Sequence, residues 1–494
     1  MTTLVARLRD AQEALHVLTR RHQVPGAALA IARDDELIDF ASGVLNVETG
    51  VDATTDSIFQ IGSNTKVMTA TLVMQLVDAE KVDLDAPVER YLKGFSLDDP
   101  TAASEITVRQ LLTHTSGIQG DYFKGFGRGE DAIARYVESL EGIDLIHRPG
   151  QMWSYSNSGY VVAGRLAEVV AGVPYHRLLK ERICQPLGLT HTTIQVEEMV
   201  ARRCAVGHVP GPGGRPKVTP SVVMEYAQAP AGSVTTSTAS ELVRFVQLHL
   251  GEGAGPDGDP VVSVGSTQAM QQAQIEMPDA FGAPMQMGLG WLLGDWSGTR
   301  LIGHNGGTIG QLSFMWCIPD QHLVIVLLTN SMAGSALWRD LGRWLFEELA
   351  GVRMPRPPMP PVAPPKLDLS KYVGTYERLG FRHTVSVDNG KLMLRSEMTD
   401  DLPEEWRRGP QPPPIWLRPV DRERFAAKVG GEDTVVTFLD FDRGVPGYLF
   451  TGRAARRSSR ASSRRSPPAT SKSKSSRPRA GVAKRDGLRA RGAR

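Results

Sequence analysis

Ile61-Gly62-Ser63-Asn64-Thr65-Lys66 is the stretch that decides how the rest of this 494-residue chain is read. A serine followed three residues later by a lysine, at the mouth of an apolar helical run, sets a hydroxyl and an amine on one face of a helix turn. Such an amine can take the hydroxyl proton without help from a histidine. Downstream, Val67, Met68, Leu72, Val73, Leu76 and Val77 cover most of the helix circumference, which predicts a buried helix. A lysine at the buried end of that helix needs a chemical reason. The spacing recurs at Ser471-Lys472-Ser473-Lys474, within a tail too polar to fold, so context has to separate the two.

Working outward, Ala27–Ala32 and Leu37–Gly43 flank the charged turn Arg33-Asp34-Asp35-Glu36 and read as a hairpin. An amphipathic helix precedes it, ending near Arg21. Helical patterns recur at Thr107–Thr113, Asp131–Leu140, Gly159–Val170, Tyr175–Cys184 and Ser240–Leu250. From Arg300 the period changes to that of strands, at Leu301–His304, Leu312–Ile318 and His322–Thr329, before a helix at Ala336–Leu349. An early hairpin, a helical middle and a late antiparallel group predict an α/β layered fold in which the N- and C-terminal strands share one sheet. Segments 207–216 and 251–260, rich in Gly and Pro, are read as surface loops, and loops 119–127 and 207–216 are expected to shape a pocket.

Two further stretches set polar groups beside glycines or a helix start: Tyr155-Ser156-Asn157, and His304-Asn305-Gly306 followed by Gly307. With Ser63-Asn64-Thr65-Lys66 they resemble, in order, the Ser-x-x-Lys, Tyr-x-Asn and Lys/His-x-Gly motifs of the serine β-lactamase and penicillin-binding-protein superfamily. The similarity is greatest to the branch that holds class C β-lactamases, D-aminopeptidases and related esterases. It covers residues 8–350, with support from Leu111-Leu112-Thr113-His114-Thr115-Ser116-Gly117 and Pro149-Gly150. The resemblance implies a β-lactamase-like antiparallel sheet flanked by helices, with a helical subdomain. It also implies a hydrolase that forms an acyl-enzyme on a small ester or D-amino-acid amide, with a β-lactam-hydrolysing or penicillin-binding protein, or a low-turnover acylating sensor with a nucleic-acid-binding tail, as the alternatives.

Ser63 is then the nucleophile, with Lys66 and Tyr155 the two candidates for its base. Both have reference pKa values near 10, and each needs a downward shift of about 3 units to be half-deprotonated at pH 7. A unit charge at about 4 Å contributes on the order of 4 kcal/mol at an effective dielectric of about 20, so a cationic Lys66 is able to turn Tyr155 towards phenolate, with burial opposing. On this reading Lys66 is less the sole base than the charge that tunes Tyr155. The resemblance implies that the backbone N–H groups of Ser63 and Gly307 form the oxyanion hole and that Gly306 lets the strand approach closely. It gives Asn157 the acyl side chain, and His304 a donor's place near a substrate carboxylate. Histidine where this branch usually carries lysine favours esters or peptides over lactams. His114 is read as structural, bonded to nearby backbone.

The remaining organisation follows from composition. Seven prolines between Pro355 and Pro365 mark a stiff linker. The expected division is therefore a hydrolase domain at 1–352, a linker at 353–366, a small antiparallel β domain at 367–452 and a disordered basic tail at 453–494. Asp388-Asn389-Gly390 is a hairpin signal inside the β domain. From Arg453 onward fall 15 of the 56 Lys and Arg residues and one of the 54 acidic residues, a net +14, which leaves −12 on residues 1–452. The tail is read as a solvated extension, with a non-specific anionic partner such as nucleic acid as the alternative; it has no aromatic residue to stack on bases. Three cysteines, Cys184, Cys204 and Cys317, without a Cys-x-x-Cys pair fit a reducing compartment, and the absence of an apolar leader or a long apolar run points to the cytoplasm. No metal-ligand spacing and no phosphate-binding glycine loop is present, so no cofactor is expected.

Overall fold

Alternation of apolar residues along the strands accounts for the layers of the computed structural model, which describes residues 4, 8, 10–251, 253–279, 283–407, 413–429 and 432–458. Helix α1 (Ala11–Arg21) leads into the hairpin β1 (Gly26–Arg33) and β2 (Glu36–Gly43). A 3₁₀ turn, Gly62–Asn64, opens helix α2 (Thr65–Asp78). Helices α3 (Asn157–Ala171) and α4 (Ala239–Leu250) follow, and then strands β3 (Ile275–Met277), β4 (Met285–Met287), β5 (Leu292–Trp296), β6 (Thr299–Thr308), β7 (Gln311–Ile318) and β8 (Leu323–Thr329), with helix α5 at Gly334–Ala350.

The eight strands form one antiparallel sheet in the order β2-β1-β8-β7-β6-β5-β4-β3. First and last strands of the lobe meet as the sequence leads one to expect: Ala27 pairs with Thr329 and Arg33 with Leu323. Successive side chains of β1 point to opposite faces. Ala28, Ala30 and Ala32 join the cluster under α2 and α4, while Ala27, Leu29 and Ile31 join the one under α1 and α5. Alanines on the first face let helices lie close to the sheet. Every residue of β8 is buried, because both of its faces are covered.

Strands β3 to β5 are not legible in the sequence, since Gly288, Gly290 and Gly294 interrupt the alternation there. Segment 207–216, expected as an irregular loop, begins and ends in a short ladder that pairs His208–Pro210 with Pro216–Val218.

Beyond the proline-rich stretch, eight strands close into an antiparallel barrel: β9 (Gly374–Arg378), β10 (Phe381–Asp388), β11 (Lys391–Met398), β12 (Ile415–Pro419), β13 (Arg424–Val429), β14 (Glu432–Asp442), β15 (Val445–Phe450) and β16 (Ala454–Arg457). Asn389 and Gly390 both have positive φ, 48° and 73°, as the tight hairpin turn requires. Tyr376, Val385, Leu394, Leu417, Phe425, Phe438 and Leu449 pack into one cluster.

The start of the tail at Arg453 is corrected by five residues. Ala454 and Ala455 are buried, and β16 seals the barrel by pairing with both β15 and β9. Small residues are what a closing seam admits. Residues 1–457 form one compact unit, and Tyr448, Phe450 and Ala454 share an apolar cluster with Ile146 and Trp153 of the sheet-bearing lobe. Ser471–Lys474 lies outside the described residues. Among the described residues no helix is long and apolar enough to cross a membrane.

Candidate active site

Ser63 sits in the middle of the 3₁₀ turn that opens α2, and glycines decide how closely that turn meets the sheet. A Cβ on Gly306 of β6 would lie 1.9 Å from the Ile61 carbonyl oxygen, and one on Gly62, where φ is +50°, would lie 2.5 Å from the Gly307 nitrogen. Only glycine at both positions brings β6 this near the nucleophile. Ser313 Oγ ties the same corner by donating to Ile61 O at 2.7 Å and accepting from Asn64 Nδ2 at 2.9 Å.

Lys66, one turn along α2, is completely buried. Its Nζ has three neighbours: Ser63 Oγ at 3.0 Å, Asn157 Oδ1 at 2.7 Å and the carbonyl oxygen of Ala231 at 2.7 Å. Two of these only accept. An ammonium donates to all three; a neutral amine, with two N–H groups and a lone pair, serves the two obligatory acceptors and has its lone pair left for the Ser63 hydroxyl. Burial lowers the Lys66 pKa well below its usual value, helped by Arg453 and opposed by Asp121.

Tyr155 and Asn157 are delivered together by the N-terminus of α3. Ser156 caps that helix through a bond from Gly159 N to its Oγ at 3.0 Å. His114 holds the same segment at two points, its carbonyl accepting from Ser154 N at 2.9 Å and its Nδ1 from Ser156 N at 3.0 Å. Its ring lies 4.2 Å from that of Tyr155. Its partner is backbone, as expected, but the backbone of the tyrosine loop.

Burial pushes the Tyr155 pKa up, against a hydrogen bond with Ser63 and the charge of Arg453. The balance imagined from the sequence therefore reverses: desolvation outweighs the nearby cation, Tyr155 stays a phenol, and Lys66 is the group driven towards its neutral form.

His304 is buried, and its Nδ1 donates to Asn305 O at 2.6 Å. Burial lowers its pKa to about 3, with Lys66 adding to the effect. The ring is therefore neutral, and Nε2 is a bare acceptor with no partner among the described residues. That is the opposite polarity from a donor to a substrate carboxylate.

Ser63, Tyr155, Asn157 and Gly307 line one cavity of about 180 Å³, together with Gln228 and Arg453. Loop 119–127 contributes Phe123, whereas 207–216 contributes nothing to the lining. Arg453 comes from the β15–β16 turn of the barrel. Its Nη2 meets Asp121 at 3.0 Å, and its guanidinium lies 5.0 Å from the centre of the Tyr155 ring. Arg378 of β9 binds the other oxygen of Asp121. Two guanidinium groups thus share one nearly buried carboxylate, which leaves an excess positive charge beside the cavity. Backbone bonds fasten the turn in place, from Ala454 N to Ser154 Oγ at 3.1 Å and from Tyr155 N to Gly452 O at 3.4 Å. No local pattern marks Arg453 among the arginines that follow it, and Gln228 carries no motif.

The cysteines stand apart from this chemistry. Burial raises Cys184 to about 12 and Cys204 to about 11, so both are thiols. A larger open groove of about 430 Å³ beside Tyr91–Ser96 holds none of these site residues.

Comparison with known proteins agrees with the geometry. The family described as Beta-lactamase matches residues 4–349. Penicillin-binding protein 4 of Amycolatopsis lactamdurans is 41% identical over 371 residues, 75% of this chain and 97% of that protein. SurE, in its crystal structure with D-Leu, superposes with a TM-score of 0.72 at 27% identity over 92% of this chain and 99% of its own. The D-amino acid amidase of Ochrobactrum anthropi SV3, complexed with L-phenylalanine amide, gives a TM-score of 0.56 at 25% identity over 69% of this chain and 97% of its own.

Proposed function

Because the chain belongs to the beta-lactamase family and is a serine hydrolase of the acyl-enzyme type, we propose that it cleaves amides or esters of D-amino-acid-containing acyl groups, with Lys66 as the base that activates Ser63. The observation that carries this reading is the completely buried Lys66 Nζ at 3.0 Å from Ser63 Oγ, in surroundings whose desolvation favours the neutral amine.

Neutral Lys66 takes the Ser63 proton as Oγ bonds to the substrate carbonyl carbon. The backbone N–H groups of Ser63 and Gly307 receive the developing oxyanion. Tyr155, held as a phenol next to Ser63, hands a proton to the leaving group and regains one from the Lys66 ammonium. Water then attacks the ester, the same groups run the steps in reverse, and the acid leaves with Ser63 restored.

Arg453 takes the part of anion receptor that the sequence reading gave to His304. The excess positive charge that Arg453 and Arg378 leave over Asp121 suits a substrate carboxylate, and the D-Leu complex of SurE and the D-amino acid amidase support the stereochemical class. The deciding experiment is a panel of a p-nitrophenyl ester, a chromogenic cephalosporin and a D-alanyl amide, run on wild type and Ser63→Ala with intact-protein mass spectrometry. Ser63-dependent turnover of the ester and the amide above the cephalosporin is the expected result; equal turnover in the variant refutes the mechanism.

A further inference from the structure

His114 has a backbone φ of +57°, uncommon for a residue with a side chain. Its two polar ties to the loop that carries Tyr155 fall on either side of that tyrosine in the chain. The His114 carbonyl accepts from Ser154 N at 2.9 Å, and Nδ1 accepts from Ser156 N at 3.0 Å. Neighbouring backbone continues the attachment, since Thr115 O accepts from Gly150 N at 2.8 Å and Gly117 O from Ile146 N at 2.9 Å. The ring is buried, with its centre 4.2 Å from that of Tyr155 and 5.0 Å from that of Tyr160.

A backbone N–H only donates, so Nδ1 is the acceptor and the ring proton sits on Nε2. Burial lowers the His114 pKa well below its usual value, with Lys66, His304 and Arg453 adding to the effect, which keeps the Nδ1 lone pair free of a proton. Nε2 is buried and has no partner among the described residues, so the polar tie that this ring makes is the one to Ser156. Packing against Tyr155 and Tyr160 calls only for a flat ring. The acceptor is what histidine adds.

We propose that His114 is a positioning residue for the leaving-group step: its Nδ1 bond to Ser156 N sets the loop so that the Tyr155 hydroxyl reaches the departing atom of an amide substrate. The inference rests on the acyl-enzyme reading above, with Tyr155 as its acid. As the C–N bond of an amide breaks, its electron pair goes to nitrogen, which takes the Tyr155 proton. A p-nitrophenolate leaves as an anion and needs no proton. Misplacing the acid therefore costs amides far more than such esters.

The p-nitrophenyl ester and the primary amide of N-acetyl-D-alanine share an acyl group and differ in what leaves. Their kcat/KM values are measured in wild type, His114→Asn and His114→Gln, with Tyr155→Phe and Ser63→Ala as references. Asn places its Oδ1 where Nδ1 stands and tolerates the left-handed backbone; Gln fills more of the ring's space but carries its oxygen one bond too far. The expected amide-to-ester ratio stays within about threefold of wild type in His114→Asn and falls about 100-fold in His114→Gln and Tyr155→Phe, the scale of an acid misplaced by about 1 Å. Partial unfolding lowers both rates and leaves the ratio intact. A side chain that merely fills space predicts the reverse order of the two His114 variants, and a general brace predicts equal losses on both substrates; either result overturns the role. Selective loss in Tyr155→Phe with an unchanged ratio in His114→Gln defeats the role of His114 alone. Equal losses in Tyr155→Phe remove Tyr155 as the acid and the proposal with it, and turnover that survives Ser63→Ala defeats the acyl-enzyme reading itself.

Discussion

Two turns reach the same cavity from opposite ends of the chain. The 3₁₀ turn Gly62–Asn64 presents Ser63 and the β15–β16 turn presents Arg453. The first is built largely from its own neighbourhood: Lys66 lies three residues on, and glycine at 62 admits the strand that backs it. The second depends on nothing local. Arg453 reaches the site because a barrel closes with β16 and docks through Ser154, Tyr155 and Asp121. On the proposed function, the contrast separates reaction from recognition: chemistry that needs a short fixed separation is encoded in one helix turn, while a charge that has to match a substrate is supplied by a separate lobe.

Removing the nucleophile is the severest test of the first turn. Ser63→Ala is expected to lower kcat by at least about 10³-fold and to abolish any covalent adduct in intact-protein mass spectra. Lys66→Met follows, with an expected loss of about 10²–10⁴-fold in acylation. Since the Lys66 pKa is lowered and the neutral form is the active one, wild-type kcat/KM should rise with pH through a pKa below 10.5. A profile in which Lys66→Met keeps that rise assigns the titration to another group and breaks the link between spacing and chemistry.

Arg453→Met tests the second turn. One charge-assisted hydrogen bond is worth roughly 1.5–3 kcal/mol, so KM for a carboxylate-bearing substrate should rise about 10–100-fold, with a far smaller change for a neutral ester. Equal losses on both would make the barrel a brace for Tyr155 and remove the division of labour.

The smallest effect compares the two lobes in stability. His249 of α4 and His383 of β10 are both buried, and burial lowers each pKa to about 3. An unfolded histidine titrates near 6.5. Between about pH 6.5 and 3 the unfolded chain binds more protons, so stability falls as pH falls, by up to about 1.4 kcal/mol per pH unit for each histidine. Urea unfolding at pH 6.5, 5.5 and 4.5 should show a shallower slope in His249→Gln and in His383→Gln. Flattening of a single shared transition by both indicates that the lobes unfold together; two transitions, each flattened by one variant, indicate that they unfold apart.

The hydrolase lobe was legible wherever one period ran unbroken. The hairpin β1–β2, the buried helix α2 and the late strands β6 to β8 all follow from alternation or helical spacing. The sheet edge β3 to β5 was not, because glycines and methionines there carry no clear period and sheet pairing supplies the order. In the same way, β16 was hidden at the head of a basic tail, since two alanines between arginines look unstructured until a barrel seam buries them.

By itself, then, the sequence determined which residues could form a nucleophile–amine pair, that two further motifs accompany them, and that a sheet joins both ends of the lobe. Only the tertiary structure decided which way burial pushes Lys66 and Tyr155, what polarity His304 presents, and that Arg453 and Gln228 line the cavity that holds Ser63. The physical reason is that spacing is a property of the chain, whereas desolvation and long-range charge are properties of the folded surroundings. A lysine and a tyrosine with similar reference pKa values are divided by burial and partners that no local pattern records.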